Sequence, residues 1–458
     1  MSKSTILTKP LEQETMPSGI PYIVGNEAAE RFSFYGMKAI LAVFMTKQLV
    51  DAAGQPDTMS DAMASSWIHS FVMVAYFFPI IGAFLSDWLW GKYRTILWVS
   101  LLYCIGHGIL ALMDFQTGID QRTLLFWGLL IIAVGAGGIK PCVAAHVGDQ
   151  FGHKNKHLLP VVFGWFYFAI NLGATLSILL TPILREHWGI GWAFGVPGAL
   201  MAVATFVFWL GRHKFVHVPP SGDALFKVTF SPPGRRAILN LIPLYLFVAM
   251  FWALFDQTAS RWVMQAANMD RNLFFFTPAP DQFQAVNSIF VLLLIPLTSY
   301  LIYPAIDRVV RLTPLRKIGL GLFMVVPAFA TSALVETAIQ QGHTPHILWQ
   351  ILAYFLLTFA EILISITALE FSYTQAPNKM KSVIMGLFYL SVALGNLFTA
   401  RVNALIVQAE AAGQTLLQGA NYYWFFTGCI AVTAVLFVIW SPFYRGQTFI
   451  QSDEPEVA

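Results

Sequence analysis

Charge is what this 458-residue chain has least of: lysine, arginine, aspartate and glutamate together make up 11% of it, against about 25% in an ordinary soluble protein. A water-facing surface cannot be built from so few ionised groups, so lipid has to cover most of the exterior. The formal net charge of +3, dispersed along the chain, argues against a nucleic-acid partner. Cysteine is scarce as well. Cys104, Cys142 and Cys429 lie in apolar stretches with no CxxC pair, which favours small packed side chains over disulfide or metal chemistry and fixes no redox compartment. The start of the chain, with Lys3, Lys9, Glu12 and Glu14 before Pro17, lacks the basic and short apolar regions of a secretory signal and reads as a soluble tail. No Ser-His-Asp, Cys-His or zinc-ligand constellation emerges, so neither an enzyme nor a metal site is expected.

Long apolar runs are abundant. Hydrophobic residues make up 57% of the chain and its mean hydropathy is +0.64. Stretches without Asp, Glu, Lys or Arg run over 63–86, 95–113, 123–139, 158–184, 187–211, 237–255, 282–306, 318–335, 342–360, 382–400 and 411–444. A bilayer core takes about 20 residues of helix, so each is a candidate span. A charged first segment over 21–49 brings the expected number to twelve. An even number puts both termini on one side, and the basic loops identify that side as cytoplasmic. Lys92, Arg94, Lys154, Arg212, Arg235, Arg308, Arg316, Lys379 and others follow the even-numbered spans, while the opposite loops carry Arg122, Arg185 and Arg271. The longest charged interruption, 212–236, holds Pro219-Pro220 and Pro232-Pro233 and divides the spans six and six. The expected organisation is a cytoplasmic tail (1–20), a six-helix bundle (21–211), a cytoplasmic linker (212–236), a second six-helix bundle (237–444) and a cytoplasmic tail (445–458). Two bundles about a central site are the plan of many secondary transporters.

Ionisable groups inside the spans carry the functional expectation, because charge at membrane depth is costly and tends to face a wet cavity. Glu27, Arg31, Tyr35 and Lys38 follow at spacings of four, four and three residues, which aligns them on one helical face bordered by Glu30 and Phe34. The competing explanation is a helix end whose long side chains snorkel to the headgroups. Lys140, after Gly137-Gly138-Ile139 and before Pro141, is either a strut tied to a backbone carbonyl or a cation offered to a substrate carboxylate or to Glu27 and Glu30. Asp256, with Ser260 and Arg261 close behind, calls for a partner such as His69 or Arg31, and a bond made only with the outside closed would be a gate. Glu361 lies in the middle of the tenth span, where an acid binds an ammonium or exchanges a proton; Glu370 lies nearer the inner end. His69 titrates near neutral pH, as a proton site requires, but also suits a hydrogen-bonded packing role. Tyr35, Tyr76, Tyr167, Trp252 and other aromatics are candidate cavity lining, and Asn171 is an amide in an apolar helix that needs a polar partner.

Five stretches in order resemble the proton-dependent oligopeptide transporters of the major facilitator superfamily. They are Glu27-Ala28-Ala29-Glu30-Arg31-Phe32-Ser33-Phe34-Tyr35-Gly36; Gly82 to Asp87 with Gly91-Lys92; Gly137 to Pro141; Phe166-Tyr167 with Ile170 to Gly173; and Phe251 to Gln257 with Glu361 to Pro377. The last pair is especially similar to animal intestinal and renal peptide transporters. The resemblance implies an all-α polytopic major facilitator fold and a symporter of di- and tripeptides with protons. It requires no cofactor beyond the proton gradient and no partner beyond peptides, protons and lipid, and the protein is expected to work as a monomer in a cell inner membrane. It also implies proton coupling at Glu27, Glu30, Arg31, His69 and Lys140, and peptide contacts at Arg31, Tyr35, Tyr76, Lys140, Tyr167, Asn171, Trp252 and Glu361. A gate at Asp256 and Ser260 completes the set. Carriers of nitrate, glycosides or peptide-like drugs share the wider fold, and a non-transporting peptide receptor is the reading from another class. The short 212–236 connection lacks the two extra helices of many bacterial relatives, and the short loop after the ninth span lacks the large outer domain of some animal ones.

Overall fold

The computed structural model describes residues 7–115, 118–220, 222–309, 311–375 and 381–444. The tails 1–6 and 445–458, and Pro377 and Lys379, lie outside the described residues. Twelve long helical segments account for most of what is described. They are α1 Ile20–Val43, α2 Asp61–Phe84, α3 Lys92–Ala111, α4 Gln121–Gly148, α5 Leu159–Trp188, α6 Ile190–Leu210, α7 Pro232–Phe255, α8 Ala285–Leu297, α9 Pro314–Gln340, α10 Leu348–Glu361, α11 Lys381–Ala411 and α12 Ala420–Trp440. Among the described residues, eleven spans are long and apolar enough to cross a bilayer; α1 matches them in length but holds Glu27, Glu30, Arg31 and Lys38. The expected all-α polytopic architecture is borne out.

Helix boundaries follow local chemistry. Ser231 caps α7, its hydroxyl accepting from the Gly234 N–H at 3.3 Å, and Thr313 does the same for α9 through the Arg316 N–H, also at 3.3 Å. Pro232-Pro233, which reads in the sequence as part of an interrupted linker, instead opens α7, because proline at the first helical position gives up an N–H that has no intrahelical acceptor. Within the rest of that linker a short helix forms over Ala224–Thr229. Gly91, at φ +74°, turns the chain between α2 and α3 in a conformation that side chains with a Cβ resist.

Contacts divide the chain into two units. The first comprises residues up to Met59 with Val74–Leu225; the second comprises Ser60–Met73 with residues from Phe226 onward, so His69 belongs with the second. In the first unit, glycine allows helices to touch backbone to backbone. A Cβ on Gly82 of α2 would lie 2.7 Å from Cα of Gly138 on α4, and one on Gly36 of α1 would lie 2.8 Å from Thr181 of α5. In the second unit the core gathers Leu241, Phe251, Trp262, Phe329, Tyr354 and Phe426, all buried. Large apolar side chains such as Trp98, Trp127, Trp192, Phe206, Leu246 and Leu293 are exposed, as lipid-facing surfaces require.

Several helices depart from α geometry where polar groups sit. A single π-helical turn, Ile362–Ile366, follows directly on Glu361, and others occupy Phe44–Gln48, Leu85–Trp90 and Thr298–Ile302. α7 does not continue smoothly past Asp256. A 3-10 segment, Asp256–Ala259, ends at Ser260 with φ −130° and ψ −94°, and a short helix, Arg261–Ala266, resumes beyond it.

Candidate functional site

In the first unit, α1 holds Glu27 and Glu30 fully inside the protein, at 1% and 0% exposure, with Arg31 beside them. Arg31 Nε lies 2.7 Å from Glu27 Oε1, donating a hydrogen bond, and 3.2 Å from Glu30 Oε2. One guanidinium thus faces two carboxylates of its own helix. The outer oxygen of Glu27 and both oxygens of Glu30 find no hydrogen-bond donor among the described residues.

Lys140 on α4 is also buried, and its ammonium has no hydrogen-bond partner among the described residues. Its Nζ lies instead over the rings of Phe34, 3.9 Å from the centroid, and Tyr76, 4.1 Å from the centroid. Among the described residues the cation is held by two aromatic faces, and the Glu30 and Glu27 carboxylates act on it electrostatically. Tyr35 packs edge-on against Phe34 at 5.6 Å and is half-buried, as is Tyr76. Asn171 satisfies its amide locally, donating to the Tyr167 carbonyl one turn earlier at 2.9 Å, while the Tyr167 side chain is exposed. His107 Nδ1 donates to the Phe194 carbonyl oxygen at 3.1 Å; since a carbonyl only accepts, Nδ1 carries the hydrogen.

In the second unit two polar groups stand out. The first joins α2, the broken segment after α7, and α11: His69 Nδ1 is 2.7 Å from Asn396 Oδ1, His69 Nε2 is 3.0 Å from Ser260 Oγ, and Asn396 Nδ2 donates to Asp256 Oδ2 at 2.8 Å. His69 and Asp256, candidate partners in the sequence, are therefore linked through an intervening amide. The break at Ser260 brings its hydroxyl to the imidazole. Arg261 turns away to Asn403, donating at 2.8 Å, and lies over the Tyr422 ring at 4.3 Å. The second group surrounds Glu361, whose Oε2 accepts from Asn287 Nδ2 at 2.8 Å; Asn287 also donates to Thr358 Oγ1 at 3.0 Å. Trp252 packs against Phe251 and Phe255 at 5.0 and 5.3 Å, with its Nε1 buried and lacking a hydrogen-bond partner among the described residues. Glu370 is exposed and stands apart from Glu361 on the next helical turns.

Asn287 and Asn396 were not singled out in the sequence. The signal was present in both, since each is an amide inside an apolar run, the same feature that drew attention to Asn171.

Membrane-length helices carrying buried acids, a guanidinium, an ammonium and an imidazole define a polytopic membrane protein whose interior is built to handle charge. The sequence pattern of the POT family matches residues 93–233 and 231–425, and the chain belongs to that family. It is 36% identical over 367 residues to Peptide transporter family 1 of Drosophila melanogaster, covering 71% of this chain and 48% of that one. It is also 36% identical over 371 residues to human Solute carrier family 15 member 2, covering 71% of this chain and 50% of the relative. The chain thus spans about half the length of these curated relatives. Among solved structures, that of the POT family transporter PepTSo superposes with a TM-score of 0.83 at 35% identity, covering 94% of this chain and 99% of that one. The crystal structure of an auto inhibited POT family peptide transporter also gives a TM-score of 0.83 at 35% identity, with 96% and 99% covered. The expected family and fold class are borne out.

Proposed function

We propose that the protein is a proton-coupled symporter that imports di- and tripeptides by alternating access. The observation that carries this reading is the buried charge of the first unit: Arg31 is held by two carboxylates, and Lys140 lies against two aromatic faces. Protonation of Glu27 or Glu30 loosens the hold on Arg31 and leaves the guanidinium and the Lys140 ammonium to attract a peptide carboxylate. Glu361, oriented by Asn287, takes the peptide ammonium. Tyr35, Tyr76 and Asn171 orient the peptide backbone, and Tyr167 and Trp252 add contact area. Reading both peptide termini by charge leaves the side chains of the peptide unspecified, so one site accepts many sequences.

His69 supplies a second proton position, and the Asp256–Asn396–His69–Ser260 network acts as a gate element whose hydrogen bonds change with proton occupancy. The driving force is the proton electrochemical gradient. The protein works as a monomer in a cell inner (plasma) membrane with both termini cytoplasmic, an orientation supported by the basic loops. The name of the fly relative, Peptide transporter family 1, supports peptides as the substrate class. The test is dipeptide uptake into sealed vesicles with and without a proton ionophore. Accumulation that collapses with the gradient is the expected result; accumulation that ignores it removes proton coupling, and competition by nitrate or glycosides but not by peptides reassigns the substrate.

A further inference from the structure

Asn396 on α11 is wholly buried and stands between His69 and Asp256. Its Nδ2 lies 2.8 Å from Asp256 Oδ2 and 3.0 Å from the Val392 carbonyl oxygen. An ionised carboxylate and a carbonyl both accept and cannot donate, so the amide has to present its NH2 to them. Its oxygen is then the end that meets His69, 2.7 Å from Nδ1. An amide oxygen cannot donate either, so Nδ1 carries a hydrogen whether the ring is neutral or charged.

The consequence falls on the other ring nitrogen. In the neutral ring Nε2 is bare, and Ser260 Oγ, 3.0 Å away, donates to it. When a proton arrives it binds at Nε2, which becomes a donor, and Ser260 has to reverse its hydroxyl. An acceptor for that reversed hydroxyl is in place, since the Gln257 carbonyl oxygen lies 3.5 Å from Ser260 Oγ. We propose that Asn396 is a positioning residue of the proton site: it holds His69 in the Nδ1–H tautomer, confines proton exchange to Nε2 on the Ser260 side, and joins the ring to the Asp256 carboxylate through one polarised amide. The proposal rests on the proton-coupled reading above and extends it to a residue outside the expected site.

Among the described residues, the Glu361 carboxylate bears on this network through its repulsion of Asp256. Arg261 is engaged with Asn403 and Tyr422, while Asp61 on the His69 helix and Arg401 and Glu410 on α11 are exposed. Asp256 is tied to the imidazole by a continuous chain of hydrogen bonds through Asn396.

The test reads the ring directly. In the full-length protein carrying 15N-histidine, the His69 signals are those lost in His69→Gln. Above its titration the wild type should show a protonated Nδ1 and a bare Nε2, this tautomer outnumbering the other by about tenfold or more, because the other tautomer would leave the buried Nδ1 and amide oxygen facing each other without a hydrogen between them. A bare Nδ1 overturns the proposal. Asn396→Leu should let the tautomers mix and should shift the pH midpoint of dipeptide uptake. Asp256→Asn should shift that midpoint in the wild-type background but by less than half as much beside Asn396→Leu, whereas full additivity overturns the linkage through the amide. Asn396→Ser, too short to bridge, is read in the same way if the leucine variant does not fold. The nitrogen signals decide the tautomer even if uptake proves independent of protons, so failure of the proposal and failure of the transport reading are distinguishable.

Discussion

Glu361→Gln separates charge from shape. The carboxylate accepts from Asn287 Nδ2 at 2.8 Å, and a glutamine of the same length offers its Oε1 to that donor, so the local hydrogen bond survives the change. What is lost is the negative charge offered to a peptide ammonium. A hydrogen bond between charged partners contributes about 1.5–3 kcal/mol, which corresponds to about 10- to 150-fold in affinity. Competition binding or uptake in vesicles, using alanyl-alanine and its N-acetylated form at one pH, reads the difference. Alanyl-alanine should lose affinity by that factor, while the acetylated form, which has no ammonium to pair, should change by less than about threefold. An equal loss for both ligands would refute the role of Glu361, and no loss for either would place the ammonium elsewhere.

Other substitutions probe the remaining parts. Lys140→Gln should weaken carboxylate-bearing peptides at least about tenfold and leave peptide amides little changed, measured by the same competition. Arg31→Lys keeps a charge but loses the planar fork that meets both acids, so proton-driven uptake should fall at least about tenfold while peptide exchange without a gradient falls less. Gly82→Leu forces atoms into the backbone of Gly138, 2.7 Å from the nearest Cβ position, and should lower the thermal midpoint in detergent; an unchanged midpoint would show that α2 and α4 are not packed as described. At the end of α4, Lys92 Nζ donates to Asp149 at 2.7 and 3.0 Å. Burial raises the Asp149 carboxyl above its usual range, and Lys92 pulls it down only in part. The unfolded chain gives up that proton at lower pH, so Asp149 costs stability as pH rises through its folded value. Lys92→Met removes the opposing pull. The loss should be on the order of 2 kcal/mol at pH 8 and should shrink as pH falls through the raised Asp149 value, below which the carboxyl is protonated and the ion pair is absent in either protein.

Much of the fold was legible because a bilayer allows few backbone solutions. Charge-free runs marked eleven spans, and the first helix was visible through the charges that set it apart. Helix ends were less legible where proline had two meanings: Pro232-Pro233 suggested an interruption but starts α7, since Ser231 before it supplies a cap. The residue types of the site were legible through the cost of burying them, as with Glu27, Arg31, Lys140 and Glu361. Their partners were not. Sequence spacing relates residues along one helix, so it could find Arg31 beside Glu27 but not Phe34 and Tyr76 beneath Lys140, nor the amide between Asp256 and His69. The break at Ser260 carries neither glycine nor proline and depends on contacts made by distant segments.

The most direct test of proton-coupled import by these buried charges records the pH inside vesicles that contain the purified protein, when di-, tri- or tetrapeptide is added outside with no gradient imposed. Acidification of the interior with the two shorter peptides, absent with the tetrapeptide and absent with Glu361→Gln, is the result expected. Peptide that enters with no change of internal pH would contradict proton coupling, and peptide that binds without entering would make the protein a receptor.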